Sequence, residues 1–452
     1  MVAFVKNALL VLLVASSCGM NPAGSDAGAS GGGAASTGGG SSSQAGGSSA
    51  GGSALGGGSA GGAVAGGSSA GGSAGGANTG GGNSGGGNTG GGNSGGGNSA
   101  GGNVAGGNSA GGTATPGRLV AFVGSGNGNI TAYSVNVATG AMTSLGVTNG
   151  GTNPSFLAFD VPRGRLYAVN EGSPGQVAAF ELRADAGLTL LNRVSSQGAG
   201  PAHVSVDPSG RWVMVANYTG GNVAVLPVRG GDGGLGPSTD TAASGGQAHQ
   251  ILTDATGRFV YVPCKAADYV AQYRFDGDAG MLNPLAPPTV ATAAGAGPRH
   301  LALHPSGQWA FLINELDDTM TSMRVAADGR LTAVDTKSTL PAGFTGANTC
   351  AEVQVHPNGR FVFGSNRGHN SIVSFSLNEQ TGVLTLVGHA ATGGNQPRHF
   401  DLDPSGQVIL VGNQGSGTVH ALSVNATTGV LTPLGQQATV NSPAFVGMTV
   451  LR

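Results

Sequence analysis

From Arg118 onward the chain is a succession of short hydrophobic runs separated by turn residues. Runs such as "RWVMVAN" and "RFVFGSN" are almost entirely apolar, as expected of strands covered on both faces, and runs such as "NVAVLPV" and "SIVSFSL" follow them. Turns such as "DPSGR" and "HPNGR" contain a proline that presets φ and a glycine that accepts a positive φ. The pattern predicts an all-β domain of short strands.

The same order of runs recurs along the chain. Its seven copies are spaced by 46 to 52 residues and begin at or next to Pro154, Pro201, Gln247, Pro298, Cys350, Pro397 and Pro443. This period is typical of propellers and solenoids, and the strand pattern together with the density of Gly and Pro excludes a helical solenoid. Four short strands in each complete copy correspond to one propeller blade.

The two ends of the repeat complement each other. The last copy, "SPAFVGMTVLR", ends after one strand, and the segment that begins at Arg118 supplies three strands before the first copy. Pairing both ends within one blade closes the ring and leaves no open sheet edge. We therefore predict a seven-bladed β-propeller of four-stranded blades over residues 118–452.

Two segments precede the predicted propeller. Residues 1–18 combine Lys6, an apolar run and small residues before Cys18, which indicates a secretory signal; its "VASSC" end resembles a bacterial lipobox. Residues 19–117 are nearly all Gly, Ser, Ala, Asn and Thr, too poor in large apolar side chains to order, so we expect a disordered tether. The sequence predicts export to the bacterial cell envelope with a lipid anchor at Cys18; release as a secreted protein is the alternative.

The charge and the cysteine content of the chain limit the kinds of partner that it can bind. Charged residues make up 9% of the 452 residues and the net charge is −2, which argues against nucleic acid, since that would require clustered Lys and Arg. Only Cys264 and Cys350 follow Cys18, and two cysteines do not indicate a disulfide framework. We expect a monomer that contacts a membrane only through its anchor.

Aligning the copies collects ionisable residues into two columns. In a propeller the first strand of each blade lines the axis and the second returns to the face where the first began, so both columns converge on one end of the channel. The first column holds Phe156, His203, His249, His300, Glu352, His399 and Phe445. The second holds Asn170, Asn217, Cys264, Asn314, Asn366 and Asn413, each followed by a variable residue, in order Glu171, Tyr218, Lys265, Glu315, Arg367 and Gln414.

Features common to all blades are interpreted as architecture, and differences between blades as candidate function. The asparagines are expected to tie loop backbones together. Charged groups near the axis, Arg299, Glu315 and Arg367, need partners and do not improve a core, so they predict a site. By contrast, His304 and His356 stand in the first turn, on the opposite face, where other blades carry Asp, and are interpreted as turn residues.

Two other chemistries remain as alternatives. Cys264 or Cys350 could serve as a nucleophile if its pKa were lowered beside a base such as His249. The four column histidines and Glu352 could bind a metal, although they lack a local His-x-x-x-His spacing. We predict neither a metal nor an organic cofactor.

Several sequence motifs resemble those of a known family. "GPAHVSVDPSGRWVMVANY", "GAGPRHLALHPSGQWAFLINEL", "AEVQVHPNGRFVFGSNRGHNSI" and "LVGNQGSGTV" are similar to the seven-bladed lactonase propellers, which include 6-phosphogluconolactonases and 3-carboxy-cis,cis-muconate lactonizing enzymes. The resemblance implies a carboxylic-ester hydrolase acting on lactones. It places the catalytic residues at His249, Arg299, Glu315 and Arg367, with Arg398 and Glu352 nearby. Together with the column residues His203, His300, His399 and Gln414, Arg398 and Glu352 are predicted to bind the substrate. Gln247 departs from the family, in which many members have a histidine there.

Opening a lactone with water requires a base, donors for the oxyanion and an acid for the departing alkoxide. Glu315 or His249 is expected to supply the base and acid, and Arg299 with Arg367 to hold the oxyanion or a substrate anion. The alternative is a non-catalytic propeller that binds a ligand or protein partner through the same face.

Overall fold

The computed structural model describes residues 117–452. The predicted signal peptide, the lipidation site Cys18 and all but the last residue of the predicted tether lie outside the described residues. No helix within residues 117–452 is long and apolar enough to span a membrane.

Residues 117–452 contain 28 strands arranged as seven four-stranded sheets. In chain order they are β1 Arg118–Ser125, β2 Asn129–Val135, β3 Met142–Asn149, β4 Leu157–Asp160, β5 Arg165–Asn170, β6 Gln176–Leu182, β7 Leu188–Ser195, β8 Pro201–Val206, β9 Trp212–Asn217, β10 Asn222–Pro227, β11 Asp240–Ala243, β12 Leu252–Thr253, β13 Phe259–Cys264, β14 Tyr269–Asp276, β15 Met281–Ala291, β16 Pro298–Leu303, β17 Trp309–Asn314, β18 Thr319–Val325, β19 Leu331–Ser338, β20 Cys350–Val355, β21 Phe361–Asn366, β22 Ser371–Leu377, β23 Leu384–Ala391, β24 Pro397–Leu402, β25 Val408–Asn413, β26 Thr418–Val424, β27 Leu431–Thr439 and β28 Pro443–Leu451. Short 3-10 helices lie at Val161–Arg163 and Lys265–Ala267.

The last strand closes the ring. Strand β28 pairs antiparallel with β1, with Arg118 opposite Leu451 and Phe122 opposite Gly447, and completes the sheet β28-β1-β2-β3. The other six sheets are each built from four consecutive strands. The predicted seven blades and the pairing of the two chain ends are therefore confirmed.

The core lies between neighbouring blades. Every residue of the second strands β9, β13, β17, β21 and β25 is buried, which explains why these runs are nearly all apolar. Packing crosses from blade to blade: Tyr167 and Val169 of β5 share a cluster with Val213 and Val215 of β9. Because each sheet is covered on both faces, the blades stabilise one another and hold the axial strands in a fixed register.

The turn between the first and second strands takes two forms. Asp403 accepts backbone N–H groups of its own turn at 2.7 and 2.8 Å. His304 occupies the same place: its Nδ1 accepts the Ser306 N–H at 3.1 Å, and its Nε2 lies 2.9 Å from the Gly359 carbonyl oxygen in the next blade. His356 bonds in the same way across the following blade boundary. The two histidines are turn residues, as predicted, and they also link blades.

Replacing His304 with aspartate tests this link between blades. The His304→Asp side chain keeps an acceptor for the turn but loses the donor to the Gly359 carbonyl, so the free energy of unfolding should fall by about 1–3 kcal/mol. Urea unfolding of wild type and variant measures the difference. Equal stability would show that the bond across the blade boundary contributes nothing.

Candidate active site

A repeated backbone hydrogen bond joins the two predicted columns, and we call it the clasp. In six blades the residue that follows the second strand donates its N–H to a carbonyl just before the first strand. The donor–acceptor pairs, at 2.7 to 3.3 Å, are Glu171–Asn153, Tyr218–Gly200, Lys265–Gln247, Glu315–Gly297, Arg367–Thr349 and Gln414–Gln396. Most of the acceptor residues have a positive φ, including Gln247 at 49° and Gly297 at 64°. The clasp places one variable side chain from each of these blades at the same end of the axis.

The column asparagines support the same face. The side-chain amides of Asn170, Asn217, Asn366 and Asn413 each donate to a carbonyl oxygen just after the last strand of the preceding blade, at 2.7 to 2.9 Å. They fix the connections between blades, which agrees with their interpretation as architectural residues.

Glu315 is surrounded by three cations. Its Oε1 lies 2.8 Å from Lys265 Nζ and 3.1 Å from an Arg367 nitrogen, and its Oε2 lies 3.1 Å from Arg299 Nε. We call these four residues the cationic layer. Burial alone would raise the pKa of the Glu315 carboxyl, but the charges of Arg299, Arg367 and Lys265 outweigh it and hold that pKa below its usual value. Glu315 is therefore an ionised, firmly paired carboxylate.

A β-bulge aims Arg299 into this layer. Pro298 faces Asn314 and His300 faces Ile313, so Arg299 has no residue opposite it in the ladder. Its side chain is 2% exposed, and its Nη1 donates to the Ala351 carbonyl at 2.7 Å. A bulge at the same place in β24 leaves Arg398 unpaired in its ladder, where its side chain stays partly exposed.

Tyr218 and Lys265 connect the cationic layer to His249. The Lys265 ammonium lies 3.4 Å from the Tyr218 hydroxyl and 5.7 Å from the centre of its ring. The Tyr218 and His249 rings pack edge to face with centroids 5.4 Å apart. Both residues occupy the variable position after the second strand, and neither is among the site residues predicted from the sequence.

Below the cationic layer lies a chain of bonded side chains. His249 Nδ1 is 3.1 Å from His300 Nε2, and His300 Nδ1 is 2.7 Å from Glu352 Oε2. His399 Nε2 lies 3.2 Å from the same Glu352 oxygen. These four residues, the histidine layer, are all buried; Glu352 is 2% exposed and His300 is 1% exposed. The depth of His300, Glu352 and His399 favours a supporting role over the direct substrate contact expected from the sequence.

Aromatic rings fill the axis next to this layer. Phe156 has its ring centroid 4.0 Å from that of His203, 4.7 Å from Phe445 and 5.2 Å from His399. Beyond them, toward the face that carries the His304 turn, a cavity of about 390 Å³ is lined by residues including His203, Glu352, Gln250 and Gln354. Glu352 therefore contacts the histidine layer on one side and this lower cavity on the other.

Burial sets the protonation of the axial groups. It lowers the pKa of His203 to about 3, and the nearby Arg299 charge acts in the same direction. Burial, reinforced by Arg299, likewise holds the pKa values of His249 and His300 well below the usual value. Burial raises the pKa of Glu352 to about 8, against the opposing effect of Arg299. Near neutral pH these histidines are neutral and Glu352 carries a proton.

The remaining candidates behave differently. Burial raises the pKa of the Cys264 thiol to about 12 and also raises that of the Cys350 thiol, so neither forms a thiolate nucleophile near neutral pH, and both are free cysteines. Gln414 is partly exposed at the rim beside the second strand of its blade. Among residues 117–452 no group of three or more His, Cys, Asp and Glu side chains is arranged to hold a metal ion.

Acid should destabilise the fold through its buried histidines. Because His203 is neutral in the fold down to a pKa of about 3 but binds a proton near pH 6.5 when unfolded, its stabilisation is present above 6.5 and lost as the pH falls toward 3. In the His203→Phe variant, which copies Phe156, the free energy of unfolding should fall less steeply with acid, by about 1.4 kcal/mol per pH unit within that window. Urea unfolding at several pH values measures both slopes, and identical slopes would contradict a neutral His203.

The sequence profile of the family described as "Lactonase, 7-bladed beta-propeller" matches residues 112–448. A 6-phosphogluconolactonase of Pectobacterium carotovorum subsp. carotovorum is 32% identical over 184 residues, 40% of this chain and 55% of that protein. One from Serratia proteamaculans is 36% identical over 132 residues, 29% of this chain and 40% of that protein. The matched stretches thus span about half the length of these relatives or less.

Solved structures match over a longer range. A periplasmic gluconolactonase of Pseudomonas aeruginosa superposes with a TM-score of 0.70 and 28% identity, covering 74% of this chain and 100% of that one. A protein from Lactobacillus plantarum gives a TM-score of 0.68 and 29% identity, with 74% and 100% covered. With the profile match across most of the chain and the closed ring of seven blades, the protein belongs to the seven-bladed β-propeller lactonase family.

Proposed function

We propose that the protein hydrolyses the lactone of a sugar acid at the cationic layer. The observation that carries this proposal is the meeting of three cations at Glu315 beside His249, a neutral histidine. Cations stabilise the oxyanion that forms at the lactone carbonyl, and a neutral imidazole accepts a proton from water. The 6-phosphogluconolactonase relatives and the gluconolactonase neighbour support the substrate class.

His249 fits the role of base better than Glu315 does. Both oxygens of Glu315 are paired with cations, so neither is free to accept a proton from water. The Nε2 of His249 bonds to none of the side chains among residues 117–452, and its Nδ1 is held by His300. We therefore assign proton transfer to His249 and assign to Glu315 the ordering of the three cations.

The partly exposed cations are the ones assigned to the substrate. The side chains of Lys265 and Arg367 are each 14% exposed, whereas Arg299 is 2% exposed and lies deeper. Lys265 would receive the oxyanion, and Arg367, together with Arg398 at the rim, would bind a carboxylate, phosphate or hydroxyl of the substrate. Arg299 would hold Glu315 in place from below.

The reaction balances without a further reactant. Water adds to the lactone carbonyl carbon while His249 takes one of its protons, and the carbonyl oxygen becomes the oxyanion. The ring C–O bond then breaks, the oxyanion reforms a carbonyl, and the departing alkoxide takes up the proton that His249 accepted, which restores the base. The product is a hydroxy acid, which ionises and releases one proton to solvent.

We also infer export to the cell envelope. The signal and lipobox pattern of residues 1–18 supports it, as does the periplasmic location named for the Pseudomonas aeruginosa neighbour. An envelope location favours an unphosphorylated sugar lactone such as gluconolactone as substrate.

Removing the proposed base tests the function. His249→Gln should lower kcat for gluconolactone about a hundredfold or more, with KM nearly unchanged, because the water loses its proton acceptor. Hydrolysis of gluconolactone and 6-phosphogluconolactone by the purified protein is followed by acid release. His420→Asn, which changes a histidine on the third strand of its blade, β26, away from the axis, is the matched control and should keep full activity.

The outcomes separate two functions. Equal kcat in wild type and His249→Gln would remove His249 from the mechanism. A wild-type protein that binds gluconate but opens neither lactone would be a binding propeller.

Arg367 provides a second test, on substrate affinity. Arg367→Ala should raise KM about tenfold or more with a smaller change in kcat, since this guanidinium grips the substrate before the transition state. Steady-state kinetics with both lactones measures the effect. A loss confined to kcat would instead assign Arg367 to the transition state alone.

A further inference from the structure

We propose that His300 and Glu352 form a proton relay behind His249, in which Glu352 holds the proton that His249 takes from the attacking water. The proposal rests on the proposed function for its catalytic step. The chain is continuous, with His249 Nδ1 3.1 Å from His300 Nε2 and His300 Nδ1 2.7 Å from Glu352 Oε2. His300 and Glu352 touch no substrate in this scheme and are positioning residues.

Proton balance explains how two neutral histidines can serve as one base. With Glu352 ionised, both histidines carry their proton on Nδ1: His300 donates to Glu352, His249 donates to His300, and Nε2 of His249 is a free acceptor. When that Nε2 accepts a proton from water, the Nδ1 proton of His249 passes to His300 Nε2 and the Nδ1 proton of His300 passes to Glu352. Both imidazoles end neutral, with their protons on Nε2, and Glu352 ends as a neutral acid.

This route avoids a cost that a lone histidine would incur. An imidazolium at His249 would lie in a buried site close to Arg299, Arg367 and Arg398, whose charges oppose it. Moving the proton to Glu352 removes a buried negative charge instead of creating a buried positive one. The burial that weakens the histidines as bases strengthens the carboxylate as an acceptor.

Several ionisable groups face Glu352 and set its titration. From β16 come Arg299, whose charge favours the ionised form, and His300; from β24 come His399 and Asp401, and Asp401 favours the protonated form. His203 and His249 complete the buried set, and both are neutral near pH 7. Burial is the largest effect on Glu352 and raises its pKa to about 8, so the relay operates in the ionised fraction of Glu352, which is a minority of molecules at pH 7 and the majority above pH 8.

The lower cavity gives the relay contact with solvent. Glu352 and Gln354 both line this space of about 390 Å³, and Gln354 Nε2 donates to Glu352 Oε1 at 3.0 Å. The lining extends from buried Leu301 to exposed Pro305, so the cavity opens at the face opposite the cationic layer. A space of this size holds several water molecules. Glu352 can therefore exchange a proton without passing the cations above.

Kinetics of the full-length protein give the first test. Glu352→Gln should lower kcat for gluconolactone about a hundredfold with little change in KM, and the rise of kcat with pH through about 8 should disappear. Glu352→Asp keeps a carboxyl group and should recover part of kcat together with a titration. Asp401→Asn removes a neighbouring carboxyl outside the chain and should retain the wild-type kcat plateau, with the rise of kcat moved to lower pH because the Asp401 charge favours protonated Glu352. Thermal unfolding checks that each variant is folded.

Histidine ¹⁵N NMR gives a test that needs no activity. In the wild type, raising the pH through about 8 should move the protons of His249 and His300 from Nε2 to Nδ1 without an imidazolium signal, and in Glu352→Gln both tautomers should stay fixed. A tautomer change without lactone hydrolysis would support the relay and reject the proposed function. Hydrolysis without a tautomer change, or wild-type kcat in Glu352→Gln, would overturn the relay.

Discussion

The buried guanidinium of Arg299 is the charge around which the axial site is organised. Burying an isolated cation would cost more free energy than the folding of a domain releases. Arg299 therefore requires an opposite charge and hydrogen-bond acceptors close to it. Glu315 pairs with it from above, and the Ala351 carbonyl accepts a hydrogen bond from it. Its field also reaches the buried histidines, where it disfavours a second positive charge.

The cationic layer and the histidine layer differ in charge and in the groups they could bind. The cationic layer concentrates positive charge where an anion or oxyanion would bind. The attraction of Glu315 for the three cations offsets their mutual repulsion. The histidines of the histidine layer are neutral, because burial and the charges above them exclude imidazolium. In a single plane, the positive charge of an anion site would oppose proton uptake by a neighbouring acceptor. Because the two layers lie at different depths along the axis, both can be present.

Repeat spacing predicted the number of blades, the closure by β28 and the convergence of the two columns, because strand ends follow directly from the period. The period did not predict how deep each side chain lies along the axis. The alignment placed His300, Glu352 and Arg367 at one channel mouth, yet the structure separates them into layers. The bulge that turns Arg299 inward adds one local residue and leaves no mark on the period, and the contacts of Lys265 depend on side chains from other blades.

The clasp has an evolutionary consequence. Its hydrogen bond uses only backbone atoms, so the residue that donates it is free to carry any side chain: glutamate, tyrosine, lysine, arginine and glutamine all occur at this place. Each of these six blades thus offers one position whose residue can change without disturbing the strands beneath it. At a ring of such positions, evolution can change the side chains at the rim one substitution at a time, while the strands that hold them are inherited unchanged.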